Sequence, residues 1–252
     1  MRNLRRRPAV RHCHCQAPPA PYKKSYGTFA AMQQTWDSSA RSPASALARL
    51  IAGNLRFREA RATPSARVWD EQVADVPQNP FAIVLGCSDS RTPVEVLFDQ
   101  GFGDLFVVRI AGNIVAPSVL GSIEFAASQF GTRLVVVMGH TRCGAVSASV
   151  RALQTGTGHE SRNIRSITDR IGPPIESRVR LGGDLDQIVG DAVRANVRAS
   201  AEHLRHSSRM LEELVVDGQL VVVGAEYELK TGIVHFFDGV PLVGTVPPVA
   251  GV

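Results

Sequence analysis

Two apolar runs in this sequence stop at residues that can do chemistry. The run at residues 81–86 is followed by Cys87, and the run at residues 134–139 is followed by His140, with Cys143 three positions later. Thiolate and imidazole are preferred ligands of Zn²⁺, and three protein ligands with one open position are typical of a catalytic site. A structural zinc knuckle more often presents paired Cys-x-x-Cys ligands. The spacing therefore favours a catalytic zinc centre.

An acidic and a basic side chain, Asp89 and Arg91, follow the first cysteine. A guanidinium can hold a carboxylate through two parallel hydrogen bonds, which keeps the carboxylate ionised and oriented. An ionised Asp89 cannot donate a proton to a nearby hydroxide, but it can accept one. It would then aim the hydroxide lone pair at a substrate. We therefore expect Asp89 and Arg91 to be catalytic residues, with Asp89 within reach of the metal or its water.

The two runs lack polar alternation, which predicts strands buried on both faces. Strands that alternate with helical patterns indicate an α/β fold with a mostly parallel sheet covered by helices on both faces. We expect the strand order 2-1-3-4-5, with the last strand antiparallel because residues 228–232 are short enough for a hairpin. In this order the first and third strands are neighbours whose connections diverge, and ligands bind at such a point. Cys87 and His140 would meet there.

The spacing of apolar residues predicts where the helices of this fold lie. An amino-terminal helical arm has a stripe of Leu47, Leu50, Ile51 and Leu55, which must be buried on the body of the protein or on a partner subunit. Residues 156–183 are rich in loop signals around a short helical piece. The patterns predict helices at about residues 43–61, 93–98, 117–130, 142–153, 164–171 and 184–214.

Length and charge limit the alternatives. The chain has 252 residues and 44% hydrophobic content, which suits one domain with appendages. No apolar run approaches the roughly 18 residues of a membrane span. The net charge of +5 arises in residues 1–36, which hold seven of the 28 basic residues and no acidic residue. Because the rest is slightly acidic, we expect neither a nucleic-acid partner nor a membrane partner.

Residues 1–42 are predicted to be a basic, disordered extension, and residues 43–252 a single catalytic domain. The extension lacks the apolar core of a secretory signal, but its arginine-rich composition also fits an organelle transit peptide. A start at Met32 is a further interpretation. The His-Cys-His-Cys run at residues 12–15 cannot close a metal tetrahedron alone. Reduced, metal-bound thiols indicate a cytoplasmic location, with organelle targeting as the alternative.

Several motifs, taken together and in order, resemble the β-class carbonic anhydrases over about residues 46–237. The resemblance implies a zinc-dependent lyase that hydrates CO₂ reversibly to bicarbonate and a proton, by attack of a zinc-bound hydroxide that Asp89 and Arg91 orient. It also implies one Zn²⁺ per chain, bound by Cys87, His140 and Cys143. The motifs are CSDSR at residues 87–91, GDLFVVR and AGN within residues 103–113, GSIEF at residues 121–125 and GHTRCG at residues 139–144.

The same resemblance extends to the substrate pocket and the assembly. It implies that Asp89 becomes a fourth zinc ligand in a closed state at lower pH. Gln78 would contact the substrate from across a dimer interface, and Phe106 and the Gly144 amide would line the pocket. The protein is therefore expected to be a homo-oligomer, either a dimer or a dimer of dimers. With two thiolates bound to the metal, activity should rise on the alkaline side of neutral.

Two positions depart from patterns within the family. Phe125 stands where many relatives have tyrosine. One subgroup of the family has an inhibitory bicarbonate pocket that contains a tryptophan, and Val84 stands at the position of that tryptophan. Arg109 and Tyr227 match the other two residues of the pocket. We therefore expect an open site and weak or absent inhibition by bicarbonate.

Other functions and purely structural roles are also compatible with these residues. The same scaffold could hydrolyse CS₂ or COS, and a non-catalytic zinc protein or a thiol redox protein are further alternatives. Arg109 is expected to be a structural partner of a carboxylate, and Glu124 to cap or pair locally. Four histidines are expected at the surface or satisfied in the core: His159, His203, His206 and His235.

Overall fold

A computed structural model describes residues 42–60, 77–158 and 161–241 of the chain. Within these ranges the strands are β1 (Ala82–Gly86), β2 (Leu105–Arg109), β3 (Leu134–His140), β4 (Val221–Tyr227) and β5 (Val234–Asp238). They form one sheet in the order β2-β1-β3-β4-β5. Neighbours are parallel except β4 and β5, which are antiparallel. The predicted α/β fold, strand order and direction of the last strand are confirmed.

The two strands that carry the candidate ligands lie side by side. Gly86 of β1 pairs with Met138 of β3, and every residue of both strands is buried. The sheet order sends the chain from β1 to β2 on one side and from β3 to β4 on the other. This divergence opens a crevice at the carboxyl edge of the sheet. Cys87 and His140 lie at that edge.

The helix α1 (Pro43–Arg58) packs on one face of the sheet. A serine cap and a proline in the first turn begin it, as is usual for helix starts. Leu47 and Leu50 join an apolar cluster with β1 and β3 residues, whereas Ile51 and Leu55 are exposed. Only part of the predicted stripe is therefore buried on this chain's own sheet.

The other helices are α2 (Val94–Leu97), α3 (Pro117–Gln129), α4 (Gly144–Thr155), α5 (Arg162–Arg180), α6 (Leu185–His206) and α7 (Arg209–Val216). Apolar residues of α3, α6 and α7 cover the sheet face opposite α1. A third cluster, formed by α4, α5 and the first half of α6, surrounds Cys87 and Cys143. Among the helices in the described ranges, none has the length and apolar character needed to cross a membrane.

The helix α5 differs from the predicted elements. It spans 19 residues, where the sequence predicted a short helical piece at residues 164–171. Two adjacent prolines lie inside it, and a proline within a helix costs about 3 kcal/mol. The helix continues past them because Ile171, Ile175 and Val179 recur every four residues and are buried. Their packing offsets the cost of the prolines.

The predicted helix at residues 184–214 is two helices in the structure. Ser208 interrupts it with an extended backbone, and its side chain accepts a hydrogen bond from the Leu211 N–H at the start of α7. A serine satisfies a free N–H of a helix start in this way. The Ser208 hydroxyl also donates to Glu124, 84 residues earlier in the chain. The expectation of a purely local partner for Glu124 was therefore wrong.

Candidate metal centre

The three predicted ligands come together at the carboxyl edge of the sheet. Cys87 follows β1, His140 is the last residue of β3, and Cys143 is the amino-terminal cap residue of α4. One ligand atom from each lies within 4.8 Å of the others. The three residues are at most 5% exposed, so water competes little for the ligand atoms. The structure thus forms a buried Cys-His-Cys cluster from two strand ends and a helix start.

The geometry of this cluster fits a tetrahedral zinc ion. The two Sγ atoms lie 3.9 Å apart, and sulfurs at about 2.3 Å from a tetrahedral zinc would be separated by about 3.8 Å. Nδ1 of His140 lies 2.9 Å from the Thr141 carbonyl oxygen, so it carries the proton and leaves the Nε2 lone pair free. That buried Nε2 has no hydrogen-bond partner in the described part of the chain. A metal would satisfy it.

The two thiols influence each other. Hydrogen bonding from Cys143 lowers the pKa of Cys87 to about 4, against a burial effect in the opposite direction. The Gly112 N–H, 3.4 Å from the Cys87 sulfur, lowers this pKa further. The same thiolate contact, together with burial, raises the pKa of Cys143. At neutral pH the metal-free pair therefore holds one thiolate and one thiol.

Asp89 lies beside the cluster and forms an ion pair with Arg91. The Arg91 side chain donates to both carboxylate oxygens, at 2.9 Å to Oδ1 and 2.7 Å to Oδ2, and its backbone N–H adds a third bond. These hydrogen bonds hold the pKa of Asp89 well below its usual range. Oδ2 lies 3.9 Å from the His140 Nε2. An ionised carboxylate is thus fixed at the mouth of the cluster.

Arg109 holds the loop that carries Cys87 and Asp89. Its Nε donates to the Cys87 carbonyl at 3.1 Å, and its Nη2 donates to the Asp89 carbonyl at 2.6 Å. We expected a carboxylate partner, and that expectation was wrong. The reason is that the loop after β1 is neither helix nor strand, so its backbone carbonyls are open to side-chain donors, and a guanidinium can reach several at once.

The chain is similar to known proteins over most of its length. The β-carbonic anhydrase CafA of Aspergillus fumigatus, a solved structure, matches 75% of this chain and 86% of its own, with a TM-score of 0.58 and 25% identity. A family model for carbonic anhydrase matches residues 82–234. Carbonic anhydrase 2 of Mycobacterium tuberculosis is 35% identical over 206 residues, which covers 81% of this chain and 97% of that protein. The chain belongs to the β-carbonic anhydrase family.

Other relatives agree with this assignment. A carbonic anhydrase of Mycolicibacterium smegmatis is 35% identical over 206 residues, covering 81% of this chain and 98% of that protein. A structure described as a tetrameric β-carbonic anhydrase of Sordaria macrospora has the same fold, with a TM-score of 0.58 and 21% identity over 74% of this chain and 90% of that chain. Membership in the family makes this protein a carbonic anhydrase enzyme.

In this carbonic anhydrase the predicted pocket residues are not all near the cluster. Gly144 begins α4 beside Cys143, and its Cα faces open space. Phe106 lies in β2 and packs with Phe125 of α3 and with Phe130, which follows that helix. Gln78 precedes β1, and Cys87 follows it, so the two residues lie at opposite ends of that strand. Within one chain the structure therefore brings Gly144, but not Gln78, to the cluster.

Some supporting residues of the carbonic anhydrase site were missed in the sequence. The Gly112 N–H donates to the Cys87 sulfur, Asn196 of α6 donates to the Gly112 carbonyl, and the Thr141 carbonyl orients His140. The sequence could have indicated Asn196, because it is a polar residue within the apolar stripe of a helix. For Gly112 and Thr141 the contacts are made by backbone atoms, which residue types do not reveal.

The histidines outside the cluster follow the expectation where they are described. His203, His206 and His235 are exposed, and His206 lies between two glutamates, 3.1 Å from Glu202 and 3.3 Å from Glu212. His159 lies outside the described residues, as do residues 12–15 and most of the predicted extension. None of the three exposed histidines belongs to the cluster.

Proposed function

We propose that this protein catalyses the reversible hydration of CO₂ to bicarbonate and a proton at a zinc centre held by Cys87, His140 and Cys143. The observation that carries the proposal is a buried Cys-His-Cys cluster with an unpaired imidazole nitrogen, next to an ion-paired carboxylate. Zinc bound there supplies a Lewis acid that makes water nucleophilic near neutral pH. Membership in the β-carbonic anhydrase family supports the choice of CO₂ as substrate.

Asp89 has the role of orienting the nucleophile. Because Arg91 keeps its carboxylate ionised, Asp89 accepts a hydrogen bond and cannot donate one. The nucleophilic oxygen therefore turns its lone pair away from Asp89 and toward the substrate. Arg91 positions the carboxylate through two side-chain donors, and Arg109 fixes the loop beneath it. The dyad thus orients the oxygen without supplying a proton.

The same contacts favour an open site. For Asp89 to become a fourth ligand, its carboxylate would have to leave both donors of the Arg91 side chain. We infer that the closed state requires this ion pair to break. The Gly144 N–H, at the start of α4, is available to bind a substrate oxygen, since helix starts have unpaired N–H groups. Phe106 is proposed to line the apolar side of the pocket.

The active form is proposed to be a homo-oligomer, a dimer or a dimer of dimers. Phe102 and Phe125 are more than half exposed, at 58% and 51%, and β2 is an edge strand in the described sheet. Exposed aromatic side chains beside an open strand edge are typical of an interface. Gln78 would then serve the site of the partner subunit. Mixing Gln78→Ala and Cys143→Ala subunits should restore activity if the site is shared.

A metal and rate measurement tests the function. The zinc-loaded protein should contain about one zinc per chain and hydrate CO₂ in stopped-flow assays, whereas Cys143→Ala should lose both. Cys15→Ala is the matched control, because it removes a cysteine outside the proposed centre. Rates on CS₂ and COS, measured in parallel, should be much lower than on CO₂. A zinc-loaded protein with no CO₂ hydration above the buffer rate would overturn the proposal.

A further inference from the structure

A polar side chain lies inside the apolar cluster around the metal centre. Asn196 of α6 is 2% exposed, and its neighbours on the same helix face include the buried residues Ala192, Val193 and Val197. Burying an amide without a hydrogen bond is destabilising, because the group loses its hydrogen bonds to water. A buried asparagine at this position therefore requires a specific partner. The structure gives it one.

The partner is the backbone of the turn that contacts Cys87. Nδ2 of Asn196 donates to the Gly112 carbonyl oxygen at 2.8 Å, across 84 residues of sequence. The Gly112 N–H in turn lies 3.4 Å from the Cys87 Sγ and donates to it. The N–H of Gly112 thus contacts the ligand sulfur, and its C=O contacts Asn196. The side chain of Asn196 connects α6 to the metal centre through a single residue.

Gly112 needs such an anchor. It adopts φ +69°, and a Cβ added there would lie 2.6 Å from Ile171 Cδ1 and 3.1 Å from Ala145 Cβ, so only glycine fits. Glycine is also the residue with the widest choice of backbone conformations. The turn's own backbone bond, from the Asn113 N–H to the Ile110 carbonyl at 3.0 Å, leaves the Gly112 carbonyl unused. Asn196 supplies the missing restraint.

We propose that Asn196 is a positioning residue for the metal ligand Cys87, acting through Gly112. By holding the Gly112 carbonyl it keeps the Gly112 N–H aimed at the sulfur, which fixes the direction of the thiolate and withdraws electron density from it. This inference rests on the proposed metal centre and deepens it. Partners of metal ligands of this kind typically change metal affinity by about 10- to 100-fold when removed.

The test compares two buried asparagines. Asn196→Leu keeps nearly the same volume in apolar surroundings and removes the donor, and Asn196→Ala removes the side chain. Asn54 provides the matched control, because it is also buried and its Nδ2 also donates to backbone carbonyls, those of Leu97 at 3.1 Å and Gly232 at 3.0 Å. Neither Leu97 nor Gly232 belongs to the metal centre. The variants Asn54→Leu and Asn54→Ala therefore measure the purely structural loss.

Two readouts separate positioning from stability. The first is the rate of zinc loss to a chelator, which should increase about 10- to 100-fold in the Asn196 variants. The second is the sulfur-to-metal charge-transfer band of the Co²⁺-substituted protein, which should move to longer wavelength because the sulfur loses a hydrogen bond. The Asn54 variants should be less stable but keep the wild-type values of both. Folded Asn196 variants that match the wild type or the Asn54 variants would overturn the inference.

A measurement on the wild type can refute the proposal even if no Asn196 variant folds. In the protein loaded with ¹¹³Cd²⁺, an N–H···S bond to a ligand sulfur should transmit a scalar coupling between cadmium and the Gly112 amide proton. The absence of that coupling would refute the role of Gly112, and with it that of Asn196. Failure of the proposed function is distinguishable, because a wild type that binds no metal rejects the centre itself.

Discussion

Arg91 donates to Asp89 through Nε and Nη2, so that each carboxylate oxygen receives one side-chain bond, at 2.9 Å and 2.7 Å. This parallel arrangement fixes the plane of the carboxylate as well as its charge. The nearest ligand nitrogen, Nε2 of His140, is 3.9 Å from Oδ2. Asp89 is therefore close enough to contact a group bound in the cluster, while both of its carboxylate oxygens are paired with Arg91.

Replacing the carboxylate should separate metal binding from catalysis. In Asp89→Asn the side chain can donate a hydrogen bond and no longer directs the nucleophile, so CO₂ hydration should fall by about 10²-fold or more. Zinc content should remain that of the wild type, because the three ligands are unchanged. Asp191→Asn is the control, since Asp191 is also an ion-paired aspartate, with Arg178. Stopped-flow rates and metal analysis together give the answer, and loss of zinc from Asp89→Asn would contradict it.

The acid titration of Asp89 should depend on Arg91. The hydrogen bonds from Arg91 place the folded-state pKa of Asp89 below its unfolded value of about 3.9. The ion pair therefore contributes its full stability above that pH and loses it as the pH falls through the folded-state pKa. In Arg91→Ala the pKa of Asp89 should rise toward its ordinary value, which carboxyl NMR titration would measure. An unchanged titration in the variant would show that Arg91 is not the cause.

Metal binding should release about one proton per site near pH 7. The reason is that hydrogen bonding from Cys143 lowers the pKa of Cys87 to about 4, while that contact raises the pKa of Cys143. Only Cys143 is then left to deprotonate when zinc binds. Titration calorimetry in buffers of different ionisation enthalpy measures the count. The double variant Cys87→Ala, Cys143→Ala should release none, and a count near two in the wild type would mean that both thiols begin neutral.

The close approach of α1 to the end of α2 depends on Gly53. A Cβ added at Gly53 would lie 1.8 Å from the Phe98 carbonyl oxygen, so Gly53→Ala must move α1 away. We expect a loss of at least about 1–3 kcal/mol in the free energy of unfolding. Gly190→Ala is the matched control, because a Cβ on this helical glycine meets nothing within 4 Å. It should stabilise by up to about 1 kcal/mol. Urea denaturation of both variants would test this, and an equal effect would contradict it.

The order of the sheet and the proximity of the three candidate ligands were predictable for the same reason. Strands buried on both faces have unbroken apolar runs, and the runs before Cys87 and His140 are of this kind. Because parallel strands end at one edge, residues that follow them are close in space. Helix α5 was less predictable, because its two prolines indicate a helix break. The helix continues because it packs against α4 and α6, and this packing cannot be seen in the sequence.

The supporting contacts could not be predicted from the sequence. Arg109 and Asn196 act on backbone carbonyls of residues 20 or more positions away, and no pairing of residue types indicates such contacts. Gln78 and Cys87 lie at opposite ends of β1, so the role proposed for Gln78 requires a second subunit. Sequence patterns thus identify candidate ligands at strand ends, while the residues that contact them are found through tertiary packing.

Bicarbonate should not inhibit this enzyme cooperatively. Val84, where an inhibitory pocket would need an indole donor, is 0% exposed within the core and has no polar group. Arg109 already donates to the carbonyls of Cys87 and Asp89. An anion that drew Arg109 away would break these bonds, which help to hold the loop that carries Cys87 and Asp89. The CO₂ hydration rate should therefore respond to bicarbonate no more steeply than to chloride at equal ionic strength, and a sigmoidal loss of rate with bicarbonate alone would show that Arg109 can leave the loop.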